Sequence, residues 1–175
     1  SAGAVAAAPI NPLALYTFDG GNAQDSSGNG NHGTVIGGVG FVTDTTRGEV
    51  AEFSVTSGLN GINTGLNINS GTLPAVTFGG WFKHASYGHV PKVISEDNGS
   101  FDRTLGLDTR GGAVNGVSAF TGSGVLNSNY VPDLDEWYHA AVVYTGSTVD
   151  LYVNGALSGT ATDTTGGSSN TLFLG

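Results

Sequence analysis

The fold is decided by the stretch WYHAAVVYTGSTVDLYVNG, residues 137–155. Its first part, 137–144, is a run of apolar, β-branched and aromatic residues, which predicts a strand that is covered on both faces and lies centrally in a sheet. In 148–153 apolar and polar residues alternate, which predicts a strand with one core face. Thr-Gly-Ser at 145–147 and Asn-Gly at 154–155 are typical of tight hairpin loops. The stretch therefore predicts a meander of antiparallel strands.

The composition favours β-structure throughout the chain. The 175 residues include 30 glycines, only 11% are charged, and Cys and Met are absent. Such a chain is rich in turns and poor in helix formers. Its length suits one domain with a real core. We assign 13–175 to that single domain and 1–12 to an N-terminal tail or an exchanged strand.

The charge balance excludes two classes of partner. Five Lys and Arg stand against 14 Asp and Glu, which gives a net charge of −9. Nucleic acids and anionic membranes both require a basic surface, so we expect neither as a partner. Since no apolar run approaches about 18 residues, we also expect no membrane insertion.

The N-terminal residues bear on localisation. Residues 1–9 are small and apolar but carry no basic region before them. They are either what remains after cleavage of a signal peptide or an Ala-rich floppy terminus. We expect an exported protein, secreted or at the cell surface, with its signal peptide already removed.

Further short strands are expected at spacings typical of a β-sandwich. They are Leu13–Phe18, Gly33–Ile36, Glu49–Val55, Gly61–Thr64, Ala75–Lys83, Lys92–Ser95, Arg103–Asp108, Ala113–Phe120, Ala156–Thr160 and Thr171–Leu174. No stretch keeps a helical period beyond a turn or two, so we expect very little helix.

The loop 25–33, DSSGNGNHG, has no apolar side chain. Its short oxygen-bearing side chains and glycines suit a Ca²⁺ site, which needs several oxygen ligands. The alternative is a loop held by its own Asx-turn hydrogen bonds. The residues alone leave both alternatives open.

The sequence gives little support to catalysis. Glu49 and Glu52 fall on opposite faces of a strand, so they do not form the carboxylate pair that a glycosidase needs. The four His are scattered and no Gly-x-Ser-x-Gly elbow is present, which argues against a Ser-His-Asp hydrolase. Zinc is disfavoured because there is no Cys and no close His pair on one face. We expect no catalytic residue.

Four residues are candidates for ligand binding. Asp97 and Asn98 lie in the oxygen-rich loop 96–102, which binds a ligand or is a solvated hairpin tip. Most aromatic residues on strands should be in the core. Tyr87 and Tyr130 have loop contexts instead, which makes them the better candidates for stacking on a sugar.

Several motifs together resemble the laminin-G-like, concanavalin A-like jelly-roll family. In chain order they are Leu15-Tyr16-x-Phe18-Asp19-Gly20, the loop 25–33, Gly48-x-x-Ala51-x-Phe53, Phe78-x-x-Trp81-Phe82-Lys83, Trp137-x-His139 and Leu151-Tyr152-Val153-Asn154-Gly155. The resemblance implies an all-β sandwich of two antiparallel sheets, one of them concave. It also implies a structural calcium site with Asp19 or Asp25 as side-chain ligand, and we add Gly28 and Asn31 of the same loop to the expected ligands.

The end of the sequence departs from the family pattern. Members normally continue past a Leu-x-Leu-Gly, here 172–175, into a last strand that pairs beside the first. Either that strand was removed or another chain fills its place. An unfilled edge is a template for strand pairing, so other copies of this chain are expected as one kind of partner.

Together these features predict a non-catalytic extracellular module that binds a glycan or a cell-surface polymer, with calcium in a structural role. The alternative is a subunit that builds an extracellular filament by strand donation. A glycan-cleaving enzyme of the same fold is disfavoured, because the Glu-x-Asp-x-x-Glu strand of laminarinase-type relatives is absent. If calcium is bound to the native state, EDTA lowers the melting temperature.

Overall fold

The computed structural model describes residues 11–53, 59–87, 91–167 and 169–175. Within these ranges there are thirteen strands and no helix, so no described helix could cross a membrane. The strands are β1 Thr34–Ile36, β2 Val39–Asp44, β3 Gly48–Phe53, β4 Gly61–Asn63, β5 Val76–Phe82, β6 Lys92–Ser95, β7 Thr104–Asp108, β8 Gly116–Phe120, β9 Val125–Asn127, β10 Tyr138–Tyr144, β11 Thr148–Val153, β12 Ala156–Thr162 and β13 Phe173–Leu174.

The strands form two stacked antiparallel sheets and a separate hairpin. One sheet has seven strands in the order β1-β4-β13-β6-β7-β8-β9, and the other has four in the order β12-β11-β10-β5. Across the interface β12 packs on β9, β11 on β8, β10 on β7 and β5 on β6. The hairpin joins β2 and β3. The prediction of an all-β, two-sheet jelly-roll sandwich is confirmed.

The 137–155 stretch supplies the middle of the four-stranded sheet. β10 lies between β11 and β5, so its predicted central position is confirmed. Tyr138, Ala140, Val142 and Tyr144 are buried, whereas the alternate residues of β10 are only half-buried. The expectation that both faces are covered is therefore too strong, because the outer face of this strand is only partly covered.

The two turns of the meander use the residues that the sequence predicts. Gly146 follows β10 with a φ of 84°, and Asn154 and Gly155 join β11 to β12 with φ values of 48° and 82°. Two consecutive positive φ values are the requirement of a tight hairpin turn between twisted strands. The Asn154 side chain also accepts a hydrogen bond from the His139 N–H at 2.9 Å, which ties the turn to β10.

The core lies between the two sheets and draws on both. Its buried members are Ile68, Ile94, Leu105, Leu107, Val117, Ala119, Tyr138, Ala140, Val142, Tyr144, Val149, Leu151, Val153 and Leu172. Each large apolar side chain in such a position stabilises the fold by about 1.5–3 kcal/mol. Tyr144 also brings a hydroxyl into the core, where it donates to the Phe120 carbonyl at 2.8 Å and so links β10 to β8.

The predicted first strand, Leu13–Phe18, is not a strand in the structure. The exposed fraction of its side chains alternates as in a strand, with Leu13 48% and Leu15 45% exposed. Its backbone, however, bonds to the loop 25–33 and not to a neighbouring strand: the Leu15 N–H donates to the Asp25 carboxylate, and the Leu15 carbonyl accepts the Ser26 N–H at 2.7 Å. The segment therefore has the alternating pattern of a strand but no neighbouring strand with which to pair.

Two observed strands, β2 and β9, have no counterpart in the sequence-based prediction. Both are formed by short segments in which Gly or polar residues interrupt the apolar pattern, and their pairing partners β3 and β8 define them. The prediction for 1–12 falls almost wholly on residues outside the described ranges, as does Val55 at the end of the predicted strand Glu49–Val55.

Candidate functional site

The outer face of β6, β7 and β8 forms the floor of the candidate site. Leu105 and Leu107 of β7 point into the core, so Thr104, Gly106 and Asp108 point the other way. Gly106 pairs with Lys92 of β6, and a Cβ at Gly106 would lie 2.3 Å from the Pro91 carbonyl oxygen. Glycine is therefore required where β6 bulges close to β7.

A pocket of about 240 Å³ opens beside this floor. It is lined by Lys92, Asp97, Gly99, Phe101, Arg110 and Phe120. The rings of Phe101 and Phe120 meet edge to face, with centroids 5.2 Å apart. Phe101 comes from the loop between β6 and β7, and Phe120 ends β8, so strand pairing brings together residues that are far apart in sequence.

Arg110 forms one wall, and a bidentate ion pair with the buried Asp108 holds it in place. Nε and Nη2 of Arg110 donate to the two carboxylate oxygens of Asp108 at 2.8 and 2.6 Å. The guanidinium also lies 5.0 Å from the Phe101 ring centroid and 5.6 Å from that of Phe120. Burial acts to raise the pKa of Asp108, but the hydrogen bonds from Arg110 lower it overall. The planar fork of Arg110 is thus held in one orientation.

Lys92 and Asp97 form the opposite ion pair. The other oxygen of Asp97 accepts the N–H groups of Gly99 at 3.0 Å and Asp102 at 3.3 Å, which fixes the loop around it. Burial acts to raise the pKa of Asp97, and the Lys92 hydrogen bond outweighs it, so the pKa is lowered. Each cation of the pocket has its own carboxylate, so the pocket carries hydrogen-bonding groups without excess charge.

The structure separates the predicted ligand-binding residues. Asp97 lines the pocket, and its neighbour Asn98 donates its N–H to Asp102 at 3.3 Å. Tyr87 packs against the core and donates its hydroxyl to the Pro132 carbonyl. Tyr130 is 37% exposed and its ring centroid lies 6.2 Å from that of Tyr138. Neither tyrosine lines the pocket.

Sequence reasoning missed Lys92, Phe101, Arg110 and Phe120 as pocket residues. One signal for Phe120 was available, because Val117 and Ala119 alternate into the core and leave Ser118 and Phe120 on the outer face. A large aromatic residue on the polar side of a strand is a candidate for ligand contact. No comparable signal marks Arg110, whose role depends on a bond to Asp108.

The loop 25–33 is organised around the carboxylate of Asp25, which is 7% exposed. Oδ1 accepts the N–H groups of Leu15 and Ser27 at 2.9 and 2.8 Å. Oδ2 accepts the Ser27 hydroxyl at 2.8 Å and the Asn31 N–H at 3.0 Å. Four donors fill the acceptor positions of the two oxygens. Burial acts to raise the pKa of Asp25, yet these bonds hold it well below its usual range.

This arrangement does not fit a calcium ion at Asp25, because the carboxylate is surrounded by donors. The other expected ligands are dispersed: the Asn31 carbonyl accepts the Tyr16 hydroxyl at 2.6 Å, and the Asn31 side chain donates to the Leu13 carbonyl at 2.8 Å. Gly28 supplies a turn with a φ of 90°, and Asp19 accepts the Asn22 side chain through its main-chain oxygen. Within the described ranges no three His, Asp or Glu side chains converge as metal ligands. Calcium binding stays a prediction.

Comparison with known families settles the lineage of the chain. Residues 58–175 match the family model described as the concanavalin A-like lectin/glucanases superfamily. The chain belongs to this family. The laminin-G-like resemblance inferred from the motifs is thereby confirmed. A comparison with curated proteins gave no match.

Solved structures share the concanavalin A-like fold. Domain 4 of AbnA, a GH43 extracellular arabinanase from Geobacillus stearothermophilus, in complex with arabinotriose, is similar at 21% identity and a TM-score of 0.64, over 93% of this chain and 82% of that one. The binding domain of Paraclostridial Mosquitocidal Protein 1 is similar at 11% identity and a TM-score of 0.61, over 86% of this chain and 41% of that one. At these identities the likeness concerns the fold alone.

Proposed function

We propose that the protein is a non-catalytic carbohydrate-binding module that holds a neutral sugar in the pocket beside β6, β7 and β8. The observation that carries the proposal is the pocket itself, in which two crossed phenylalanine rings stand between two self-neutralised ion pairs. A sugar ring presents apolar C–H groups on its faces and hydroxyls at its edge. The phenylalanines suit the former, and the fixed donors and acceptors of the ion pairs suit the latter.

The absence of excess charge favours a neutral sugar. Arg110 and Lys92 each face a carboxylate, so a charged ligand would have to compete with Asp108 or Asp97. A neutral hydroxyl group can instead accept a hydrogen bond from the cation without displacing its carboxylate. A volume of about 240 Å³ suits a terminal sugar unit rather than a long buried chain.

The pocket carboxylates favour binding over cleavage. A glycosidase needs one carboxylic acid whose pKa is raised so that it can protonate the leaving group. The pKa values of Asp97 and Asp108 are both lowered. Glu96 has a raised pKa, but it is 2% exposed and does not line the pocket. We therefore assign no catalytic role to these carboxylates.

The first ligand to test is arabinotriose, because the structure of a similar fold is a complex with that sugar. Isothermal titration should show saturable binding, and Phe101→Ala should weaken it about tenfold or more by removing one stacking face. Tyr130→Ala removes an exposed aromatic residue outside the pocket and serves as the matched control. If Phe101→Ala and Tyr130→Ala weaken binding equally, or a panel of neutral sugars gives no binding at all, the proposed pocket is wrong.

A second candidate function is self-assembly by strand addition, and one feature favours it. β5 ends the four-stranded sheet with β10 as its one partner among the described strands. The end of the segment 13–18 lies close to the β2–β3 hairpin, with Phe18 6.1 Å from Phe41 between ring centroids. Open edges of this kind accept further strands. Sedimentation velocity at increasing concentration tests this candidate, and a single monomeric species at every concentration would exclude it.

Localisation belongs to the same proposal. A module that binds polysaccharide acts where such polymers are found, so we propose that the protein is exported and works outside the cell or at its surface. Fractionation of the producing cells with an antibody to the module tests this, and a signal confined to the cytosol would contradict it.

A further inference from the structure

A second group of exposed residues lies on the outer face of the four-stranded sheet, away from the pocket. Trp81 of β5 is 48% exposed, and it pairs across the sheet with His139 of β10. The two rings meet edge to face with centroids 5.4 Å apart. Arg47, in the turn between β2 and β3, places its guanidinium carbon 3.3 Å from the centre of the Trp81 ring. We call Arg47, Trp81 and His139 the Trp81 platform.

The platform is held in place from two sides. Asp44 accepts the N–H groups of Thr46 at 2.8 Å and Arg47 at 3.0 Å, which fixes the hairpin turn that carries Arg47. The same carboxylate forms an ion pair with Lys83 at 2.6 Å, which ties this turn to the end of β5. The Arg47 guanidinium is therefore positioned by the fold and does not depend on a ligand for its orientation.

Charge distinguishes Arg47 from the other cations of the chain. The sequence has five Lys and Arg, and Lys83, Lys92, Arg103 and Arg110 each face an Asp within 4 Å. Arg47 makes no ion pair with any residue of the described ranges. On a chain of net charge −9 it is the cation that stays open to an outside anion. Stacking on an indole leaves the edge of the guanidinium fork free to donate.

The sheet surface next to Trp81 is formed by small apolar residues. Gly79 pairs with Ala141, and Ala141 pairs with Tyr152 on its other side, so two small residues lie between Trp81 and the larger Tyr152. A Cβ at Gly79 would lie 2.7 Å from the Ala141 side chain, so a larger residue at position 79 would be strained. These small residues form a shallow shelf, with Trp81 along one side and the Arg47 guanidinium at one corner.

We propose that the Trp81 platform binds an anionic sugar, whose ring lies on the shelf against Trp81 and whose acid group accepts hydrogen bonds from Arg47. A carboxylate and a sulfate both match the guanidinium fork. The binding would be separate from that of the neutral sugar in the pocket, since Trp81 lies on the outer face of the four-stranded sheet and the pocket lies on the seven-stranded one. It would weaken with added salt, because the platform is exposed.

The test compares three soluble polymers by affinity electrophoresis: polygalacturonate, dextran sulfate and uncharged dextran. The full chain should be retarded by at least one of the two anionic polymers and not by dextran. Arg47→Gln should weaken that binding about tenfold, the loss expected for one charge-assisted contact, and Trp81→Ala should weaken it as well. Val114→Glu is the matched control, because it changes the net charge by the same amount at a position that is 64% exposed and belongs to neither site.

The outcomes separate the sources of the anion and the two sites. Retardation by polygalacturonate alone assigns the acid group as a carboxylate, and retardation by dextran sulfate alone assigns it as a sulfate; either result supports the proposal if it depends on Arg47. Equal losses in Arg47→Gln and Val114→Glu would show a net-charge effect and overturn it. So would equal binding of dextran, or no binding of either anionic polymer.

Melting temperatures of all variants confirm folding, and Arg47→Lys, which keeps the charge without the fork, should restore binding only in part.

Discussion

Glu96 is a buried carboxylate whose burial is poorly compensated by its surroundings. It is 2% exposed, and neither carboxylate oxygen accepts a hydrogen bond from the described residues. The neighbouring Arg103 is fully buried, but its Nη groups donate to the carbonyls of Ile68, Leu73 and Pro74. Burial raises the pKa of Glu96 to about 7, against the opposing effects of the Ile68 amide and Arg103. A charged Glu96 therefore destabilises the folded state.

Replacing Glu96 by Gln should stabilise the protein at high pH. The folded-state pKa lies above the ordinary value of 4.5, so the folded state holds its proton more tightly than the unfolded one. The stabilising contribution of protonated Glu96 is fully present below pH 4.5 and is lost as the pH rises through about 7. Glu96→Gln should raise the free energy of unfolding on the order of 2 kcal/mol at pH 8 and change it little at pH 4. Urea unfolding at both pH values measures this; Glu136→Gln, at an exposed position, is the control, and an effect independent of pH would contradict the prediction.

Asp25 should act as a hydrogen-bonding hub. Asp25→Asn replaces one acceptor oxygen by a donor that faces the donors of Ser27 and Asn31, so we expect the melting temperature to fall by roughly 5 °C or more. Because the pKa of Asp25 is lowered, its contribution is present above about pH 4 and is lost as the pH falls below that. Differential scanning calorimetry with and without EDTA separates the roles: a hub keeps its melting temperature when calcium is removed, whereas a metal ligand does not.

At the scale of the elements, Gly155 in the turn between β11 and β12 is needed for its backbone conformation and not for lack of space. Gly155 has a φ of 82°, and a Cβ there would meet no atom within 4 Å. Gly155→Ala should therefore lower the free energy of unfolding by about 1 kcal/mol, because alanine disfavours the left-handed conformation and not because of a clash. Gly124→Ala is the matched control, because it also has open space but no positive φ, and it should be neutral or slightly stabilising. Equal losses in both variants, measured by urea unfolding, would contradict this account.

The strands show how far sequence patterns reach. β10 and β11 were predictable because each carries its own periodicity and its turns carry positive-φ residues. Leu13–Phe18 has the same alternation, but a strand also needs a partner, and here Asp25, Asn29 and Asn31 take the place of one. The pocket was harder to predict, because Phe101 and Phe120 meet only through the pairing of β7 with β8 and the loop that precedes β7. Asp97 was found because its loop is polar, and Arg110 was not.

At the scale of the whole molecule, Tyr144 joins the two sheets beneath the pocket. Its hydroxyl donates to the Phe120 carbonyl at 2.8 Å and accepts the Thr104 N–H at 3.2 Å. Tyr144→Phe removes both hydrogen bonds from the core, so we expect a loss of about 1–3 kcal/mol in the free energy of unfolding. Since Phe120 lines the pocket, the affinity for the neutral sugar should fall as well. Tyr152→Phe, on the outer face, is the control, and a stability loss as large as that of Tyr144→Phe would contradict this role.

The pocket and the Trp81 platform lie on opposite outer surfaces of the sandwich, one on each sheet. A single folded copy therefore has room to hold two polysaccharide strands at once, an uncharged one on one side and an acidic one on the other. If both proposed sites bind as described, one copy would cross-link two unlike polymers. A blend of the two glycans should thicken or gel when the protein is added, although neither glycan alone does so.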